Sequence, residues 1–416
     1  MIPHSTTFDY SSELDQWSAD NQHLCVIPYS YVGVHVGQKK QDPCCWYRST
    51  SDNPIAEVKN NIESGKIDKN CQLCHTQEAN NQFSGRQRAL AQLNPHELPE
   101  FLITKKIDTF FMFITFSNKC NMACRICNPG TSSLYDSIWN NNKVEPKSIR
   151  DDPTYFEIIK ADIRNKIDQY KSLRLVIMGG EGTVQSDLYM LTDWLQEENL
   201  SKKIDLQIGT NGSVFLDETF SSWCNNFKSL SFGISIDSTD EDNFVYVRYP
   251  VKFEKIHNNL QKFKLLAETH SNVDFDIRPT FYINNIAYLK EFLDYFEKFR
   301  ISNRNIRIFD NTLTHCDHLS LLALPSYLRK KLSEQIQEIL SHNYSLFIYN
   351  PVFKKSIQSF LDQLTSNDFL ETNWTTYIST TARWDKLTDT NLSFNNKKLW
   401  DLLSEEDKNS YYRRIK

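Results

Sequence analysis

The chain has 416 residues, 24% charged and 40% hydrophobic, with a formal charge of −5. That balance, without any long Lys/Arg block, speaks against nucleic acid as a partner; no apolar run approaches the roughly 18 residues of a membrane span, and the start, MIPHSTTFDYSSELDQW, lacks the charged and apolar regions of a signal peptide. A cytoplasmic protein of two or three domains is expected, in which the ten cysteines serve as metal ligands in preference to disulfides.

The first predicted region, residues 1–98, holds five of those cysteines, Cys25, Cys44, Cys45, Cys71 and Cys74, spaced C-x18-CC-x25-C-x2-C. Four of the five suffice for a complete cubane or tetrahedral site, with Cys25, Cys44, Cys71 and Cys74 the expected ligands and Cys45 an open alternative to its neighbour. The run LCVIPY…DPCCWY…CQLCHTQEANNQFSGRQR resembles the auxiliary-cluster domain called twitch, a shortened relative of the SPASM domain; Glu78, Ser84 and Arg86 fit that pattern, while Tyr29 after Pro28 departs from its usual Pro-Trp. The resemblance implies an auxiliary [4Fe-4S] cluster, fully ligated and suited to electron relay or to a structural role. A zinc ribbon built from the same thiolates is the alternative reading.

Residues 105–320 alternate apolar runs with amphipathic stretches. Strands are expected at Phe110–Phe116, Leu173–Met178, Leu206–Thr210, Leu230–Ile236, Val273–Thr280 and Ile306–Asp310, with helices between them. The segment from Asp152 begins with Pro153 at its first turn, a normal helix start. Repeated βα units imply a parallel sheet. Six are too few to close the usual barrel, so an open, partial (β/α)6 barrel is expected, its chemistry at the C-terminal ends of the strands.

Directly after the first of these strands stands CNMACRIC, placing Cys120, Cys124 and Cys127 at C-x3-C-x2-C. Three thiolates can hold three corners of a four-iron cluster and leave the fourth iron open, whereas electron-transfer clusters usually take four. A zinc site fits an isolated triplet poorly. After the second strand comes Gly179-Gly180-Glu181, after the third Thr210-Asn211-Gly212, and at the end of the fourth Ser235 and Asp237. Paired glycines admit a ligand close to backbone, and alternate positions of a strand share a face.

In this register the motifs resemble the radical S-adenosylmethionine (SAM) superfamily. The resemblance implies that Gly179, Gly180 and Glu181 hold the methionine amino group of SAM, with Asn211 nearby, that Ser235 and Asp237 sit by the ribose, and that Arg248 in YVRYP meets the SAM carboxylate. It also implies cleavage of SAM to a 5′-deoxyadenosyl radical that takes hydrogen from a substrate, with a flavodoxin- or ferredoxin-type donor. Gly182 stands where many relatives have proline, and Ile126 where many have an aromatic residue over the adenine.

Past the sixth strand, Cys316 in DNTLTHCDH is the candidate catalytic thiol, a hydrogen-atom donor on the reactive face, and His315, Asp310 and Asp317 are candidate substrate contacts. Tyr282 and Asn284 are candidates for facing the cavity. Cys224, beside Trp223 in a predicted helix, is expected to be packing. Residues 321–416 read as a helical extension, including PSYLRKKLSEQIQEIL and LWDLLSEEDKNSYYRRI, that either caps the barrel or binds a leader peptide, since the residues before Cys25 are too few for a leader-binding domain. A peptide substrate is the leading expectation, by crosslinking, oxidation or epimerisation. A sugar or amino acid is the alternative, and a non-enzymatic metal scaffold a third reading.

Overall fold

The computed structural model describes residues 20–44, 47, 49–79, 84–91, 101, 103–302, 304–311, 313, 317–366 and 371–415. The chain opens with two short strands, β1 (Tyr31–His35) and β2 (Lys40–Asp42). Then come β3 (Thr109–Thr115), β4 (Ala123–Cys124), β5 (Ser172–Met178), β6 (Ile204–Thr210), β7 (Ser229–Ile234) and β8 (Arg248–Tyr249). The last are β9 (Val273–Ile277), β10 (Arg300–Ile301), β11 (Arg304–Asn305) and β12 (Arg307–Ile308). Eight of them form one sheet in the order β12-β9-β7-β6-β5-β3-β1-β2. From β1 to β12 every pairing is parallel, and only β2 runs the other way.

The helices of the crossovers include Pro153–Gln169, Ser186–Glu197, Asp217–Asn226, Phe253–Thr269 and Leu289–Lys298. Asp152 caps the first of them by accepting from the Tyr155 amide at 3.1 Å, ahead of Pro153. The sheet's alternate residues explain the layering. Phe110, Met112 and Ile114 of β3 and Leu173, Leu175 and Ile177 of β5 join one large core with helix residues such as Ile159, Leu188 and Leu191. The result is a mixed α/β fold on a parallel sheet.

Three expectations change. Residues 31–42, read as part of a separate module, supply two strands of the main sheet, β1 pairing with β3 from Tyr31↔Phe111 to His35↔Thr115. The strands expected to reach Ile236 and Thr280 stop at Ile234 and Ile277. Pro279 has no N–H to extend the ladder, and the Thr280 amide turns to Asp237 Oδ1 at 2.8 Å. The run LWDLLSEEDKNSYYRRI forms two helices, Lys397–Leu402 and Glu405–Ile415, parted where the Ser404 hydroxyl accepts from the Asp407 amide at 3.1 Å.

After the sheet come three long helices, Ser326–Ser341, Pro351–Thr365 and Glu371–Thr388. Their buried side chains, Leu328, Ile357 and Tyr377 among them, belong to the same core as the sheet. By contrast Leu24, Val26, Tyr29, Tyr47, Val58, Ile62, Phe101 and Ile107 form a second, smaller core, with Cys25, Cys44 and Cys71 packed against it. No described helix is long and apolar enough to cross a membrane.

Candidate active site and a second cysteine group

The loop leaving the C-terminal end of β3 carries Cys120, Cys124 and Cys127. Two contacts fix its path. The two-residue ladder β4–β8 pairs Cys124 with Arg248, and the Arg125 amide donates to Val247 O at 3.1 Å. Arg248 Nη1 thereby lies 3.9 Å from Cys124 Sγ, while its Nε meets Asp237 Oδ2 at 2.8 Å. The hydrogen bond from Cys127 holds the Cys124 thiol below its ordinary range, against burial and with help from Arg248. That same bond, then burial, raises Cys127, and burial pushes Cys120 up to about 12.

The Gly-Gly-Glu turn lies against this loop. Gly179 and Gly180 have positive φ, 83° and 55°; a Cβ at the first would run into the Thr115 side chain and at the second into Lys119 backbone. The Glu181 amide donates to Lys119 O at 2.8 Å. The Glu181 carboxylate is fully buried and accepts from Thr183 Oγ1 at 2.6 Å, Thr210 Oγ1 at 2.8 Å and the Asn211 amide at 2.5 Å. Burial raises its pKa, and these donors oppose the rise. Its charge is absorbed within the protein, so this carboxylate locks the turn to the loop after β6. Asn211 Nδ2 in turn donates to Asn121 Oδ1 at 2.8 Å, inside the cysteine motif, and Asn121 Nδ2 donates to Ser213 Oγ at 2.8 Å.

The structure therefore brings together Cys120, Cys124, Cys127, Gly179, Gly180, Glu181, Asn211, Asp237 and Arg248. Asp237 and Arg248, expected at different parts of one ligand, are paired with each other. Ser235 lies beyond the end of β7, its amide donating to Thr210 O at 2.8 Å. Tyr282 is buried, and among the described residues its hydroxyl has no hydrogen-bond partner. Asn284 faces the C-terminal helices instead, accepting from Tyr377 Oη at 2.6 Å. Asp310 accepts from Ser356 Oγ at 2.8 Å. Asp317 opens a short 3-10 turn. Cys316 and His315 lie outside the described residues. Cys224 is buried in the core.

Sequence reasoning missed Arg125 as a structural link. Its Nε donates to Tyr246 O at 2.7 Å, its Nη2 to Asp385 and, at 2.9 Å, to Thr390 Oγ1, and it lies 3.6 Å from the Tyr246 ring centroid. Asp385, also fully buried, accepts from Tyr411 Oη at 2.6 Å. Gln185 was likewise missed; it accepts from Ser117 Oγ at 2.6 Å and donates to Gly179 O at 3.1 Å, bridging β3's exit to the glycine turn. No local signal marks either residue; only its position inside CNMACRIC distinguishes Arg125.

The second group gathers around a cavity of about 40 Å³ lined by Cys25, Cys44, Cys71, Cys74, His75 and Arg86, among others. Burial raises Cys25, with Cys44, Cys74 and Cys71 adding to it, and pushes Cys71 up to about 12. Burial also raises Cys74. Glu78, Ser84 and Arg86 bond to one another: Ser84 Oγ donates to Glu78 Oε1 at 2.5 Å and Arg86 Nε to the same oxygen at 3.1 Å. Arg86 Nη1 reaches Asn21 O at 2.9 Å and Leu24 O at 3.1 Å, which anchors the segment bearing Cys25. Cys45 lies outside the described residues.

Among the described residues no three His, Cys, Asp or Glu side chains converge as ligands of a single ion would. Cluster thiolates each take a different iron, so both groups fit a cluster's donor set without that convergence.

Residues 114–296 match the model of the Radical SAM superfamily. Solved structures resembling the chain include native anSMEcpe with bound AdoMet, at 16% identity over 67% of this chain and 60% of that one, TM-score 0.37. Another is Streptococcus suis SuiB bound to S-adenosylmethionine, at 15% identity over 71% and 64%, TM-score 0.38. SuiB bound to precursor peptide SuiA matches at 15% identity over 69% and 64%, TM-score 0.35. The chain spans less than two thirds of the length of these solved chains. No curated protein matches it.

Proposed function

We propose that the chain is a radical SAM enzyme that takes a hydrogen atom from a peptide substrate. The single observation carrying this is the three-thiol loop after β3, seated against the Gly179-Gly180 turn within the segment that matches the superfamily. Cys120, Cys124 and Cys127 would hold a [4Fe-4S] cluster with one iron free of protein. When bound, that cluster supplies an electron to SAM, whose cleavage gives methionine and a 5′-deoxyadenosyl radical. The chain's own residues bind and orient. The glycine turn, packed closely against Thr115 and Lys119 with Glu181 locked beneath, sets its backbone beside the cysteine loop, where it would meet the methionine end of SAM. Arg248 and Asp237 form a neutral pair beside Cys124 that steadies the thiolate. Tyr282 offers, in the same neighbourhood, a hydroxyl without a partner among the described residues.

The N-terminal thiols would hold an auxiliary cluster, a twitch- or SPASM-like module, with Cys44 the expected ligand of the pair. The resemblance of that module to auxiliary domains of peptide-modifying enzymes supports the peptide reading. The boundaries proposed are 105–320 for a partial barrel, 321–416 for the helical extension, and 1–98 for a module that lends residues 31–42 to the barrel's sheet. The test is oxygen-free reconstitution, reduction by a flavodoxin- or ferredoxin-type donor or its chemical equivalent, and assay for 5′-deoxyadenosine. Iron of about eight atoms per chain is expected for two clusters; iron of about four with zinc points to the ribbon. Loaded protein that makes no 5′-deoxyadenosine sinks the enzyme reading.

A further inference from the structure

The central sheet has two faces of opposite character. One set of alternate residues joins the apolar core beneath the helices. The other presents Arg174, Asp205, Gln207, Ser231, Asp274 and Asp276, in register across β5, β6, β7 and β9. A parallel sheet covered on both faces ordinarily reads apolar on both. Here the second face is apolar at Phe111, Phe113 and Val176 but polar from β6 to β9, although Asp205, Asp274 and Asp276 are buried. Gly233 leaves it open for the Arg278 guanidinium, which lies where a Cβ would be.

Among the described residues its charges are paired with one exception. Arg278 Nε meets Asp276 Oδ1 at 2.6 Å. Arg304 and Arg307 share Asp274 at 3.0 and 2.5 Å. Asp205 takes Lys228 at 2.9 Å, Ser172 at 2.6 Å and Ser229 at 2.5 Å. Arg174 is half-buried and rests 5.4 Å from the Phe111 ring centroid. Among the described residues it has neither a hydrogen bond nor an ion pair. Burial lowers its pKa, Asp205 opposing and Arg307 and Arg278 adding; an arginine stays protonated all the same. A half-buried cation with Asp205 near but not ion-paired to it keeps its donors available for an anion that a ligand supplies.

We propose that Arg174, with Arg278 and Arg307 nearby, receives a carboxylate of the substrate on this inner face. The inference rests on the enzyme reading above and narrows its substrate. Arg174 stands four residues before Met178, which directly precedes the glycine turn, so the carboxylate docks about 13 Å along the strand from the SAM end. A small acid cannot reach from one point to the other. A peptide with an acidic side chain a few residues from the reacting carbon can.

The probes are a short glutamate-containing peptide, its glutamine counterpart, and glutarate, titrated calorimetrically into the reconstituted full chain. The glutamate peptide should bind saturably, and about tenfold or more tighter than the glutamine peptide, as expected for one charge-assisted contact. Arg174→Gln should erase that preference and Arg174→Lys restore part of it. Equal binding of the two peptides to the wild-type chain, or no saturable binding of either, overturns the proposal, and neither outcome depends on a variant folding. Glutarate binding as tightly as the glutamate peptide overturns the peptide part. Wild-type 5′-deoxyadenosine formation, measured alongside, separates the outcomes: if it is absent, the enzyme reading fails; if it is present without carboxylate preference, only this inference fails.

Discussion

The two appendages of the sheet invert what their sequences advertise. The N-terminal region is rich in motif, yet its thiols pack on a small core of their own. The C-terminal region carries no motif, yet its helices share the main core and reach the cysteine loop through Asp385 and Arg125. Around that contact Tyr135 stacks on Trp384 at 4.6 Å, joining the helix after the loop to the helix bearing Asp385. A region can thus lack any ligand and still determine whether a ligand loop keeps its shape.

The strand directions add a second contrast. The loop with Cys120 leaves the C-terminal end of β3. Cys25 precedes β1, which runs parallel to β3, and antiparallel β2 carries the chain back so that Cys44 falls at that same N-terminal edge. Ile107, two residues before β3, packs in the N-terminal core. The two groups therefore sit at opposite ends of a seven-residue strand, separated by about 20 Å along it, with the polar inner face between.

The largest expected effect tests whether the two groups have separate tasks. Cys127→Ala should abolish 5′-deoxyadenosine formation, whereas Cys71→Ala should lose the auxiliary iron and keep SAM cleavage. If Cys71→Ala also abolishes cleavage while the first cluster is loaded, the contrast fails. Next, Asp385→Ala strands the buried Arg125 charge and should cost about 3–5 kcal/mol of stability, read by thermal unfolding. The same variant should alter the electron paramagnetic resonance spectrum of the reduced first cluster; an unchanged spectrum would make the C-terminal helices a mere cap. Glu78→Gln weakens the Arg86 network, which keeps its backbone carbonyls, so a loss of about 1–3 kcal/mol is expected. It should be confined to auxiliary iron, with the first cluster's spectrum intact. Smallest, Tyr135→Leu removes one aromatic stack, about 1 kcal/mol, visible as a slight drop in melting temperature without loss of either cluster.

Much of the site was legible because its chemistry is local in the chain. CNMACRIC and Gly179-Gly180-Glu181 each declare themselves within a few residues, and strand-end placement follows from counting βα units. The role of Glu181 was not legible, since three of its donors, Thr183, Thr210 and Asn211, include two about thirty positions away. Strand β1 escaped notice because five residues among cysteines give too short a period to recognise.

By itself the amino-acid order determined which thiols are available, which turns need glycine, and that helices and strands alternate, since these depend on side-chain type and near-neighbour spacing. Only the tertiary structure decided that Arg125 meets Asp385 across 260 positions, that Arg248 pairs with Asp237 beside Cys124, and that Arg174 has no ion-pair partner among the described residues. Burial and charge pairing are properties of what folding brings together, and no local pattern encodes the partner at the far end of the chain.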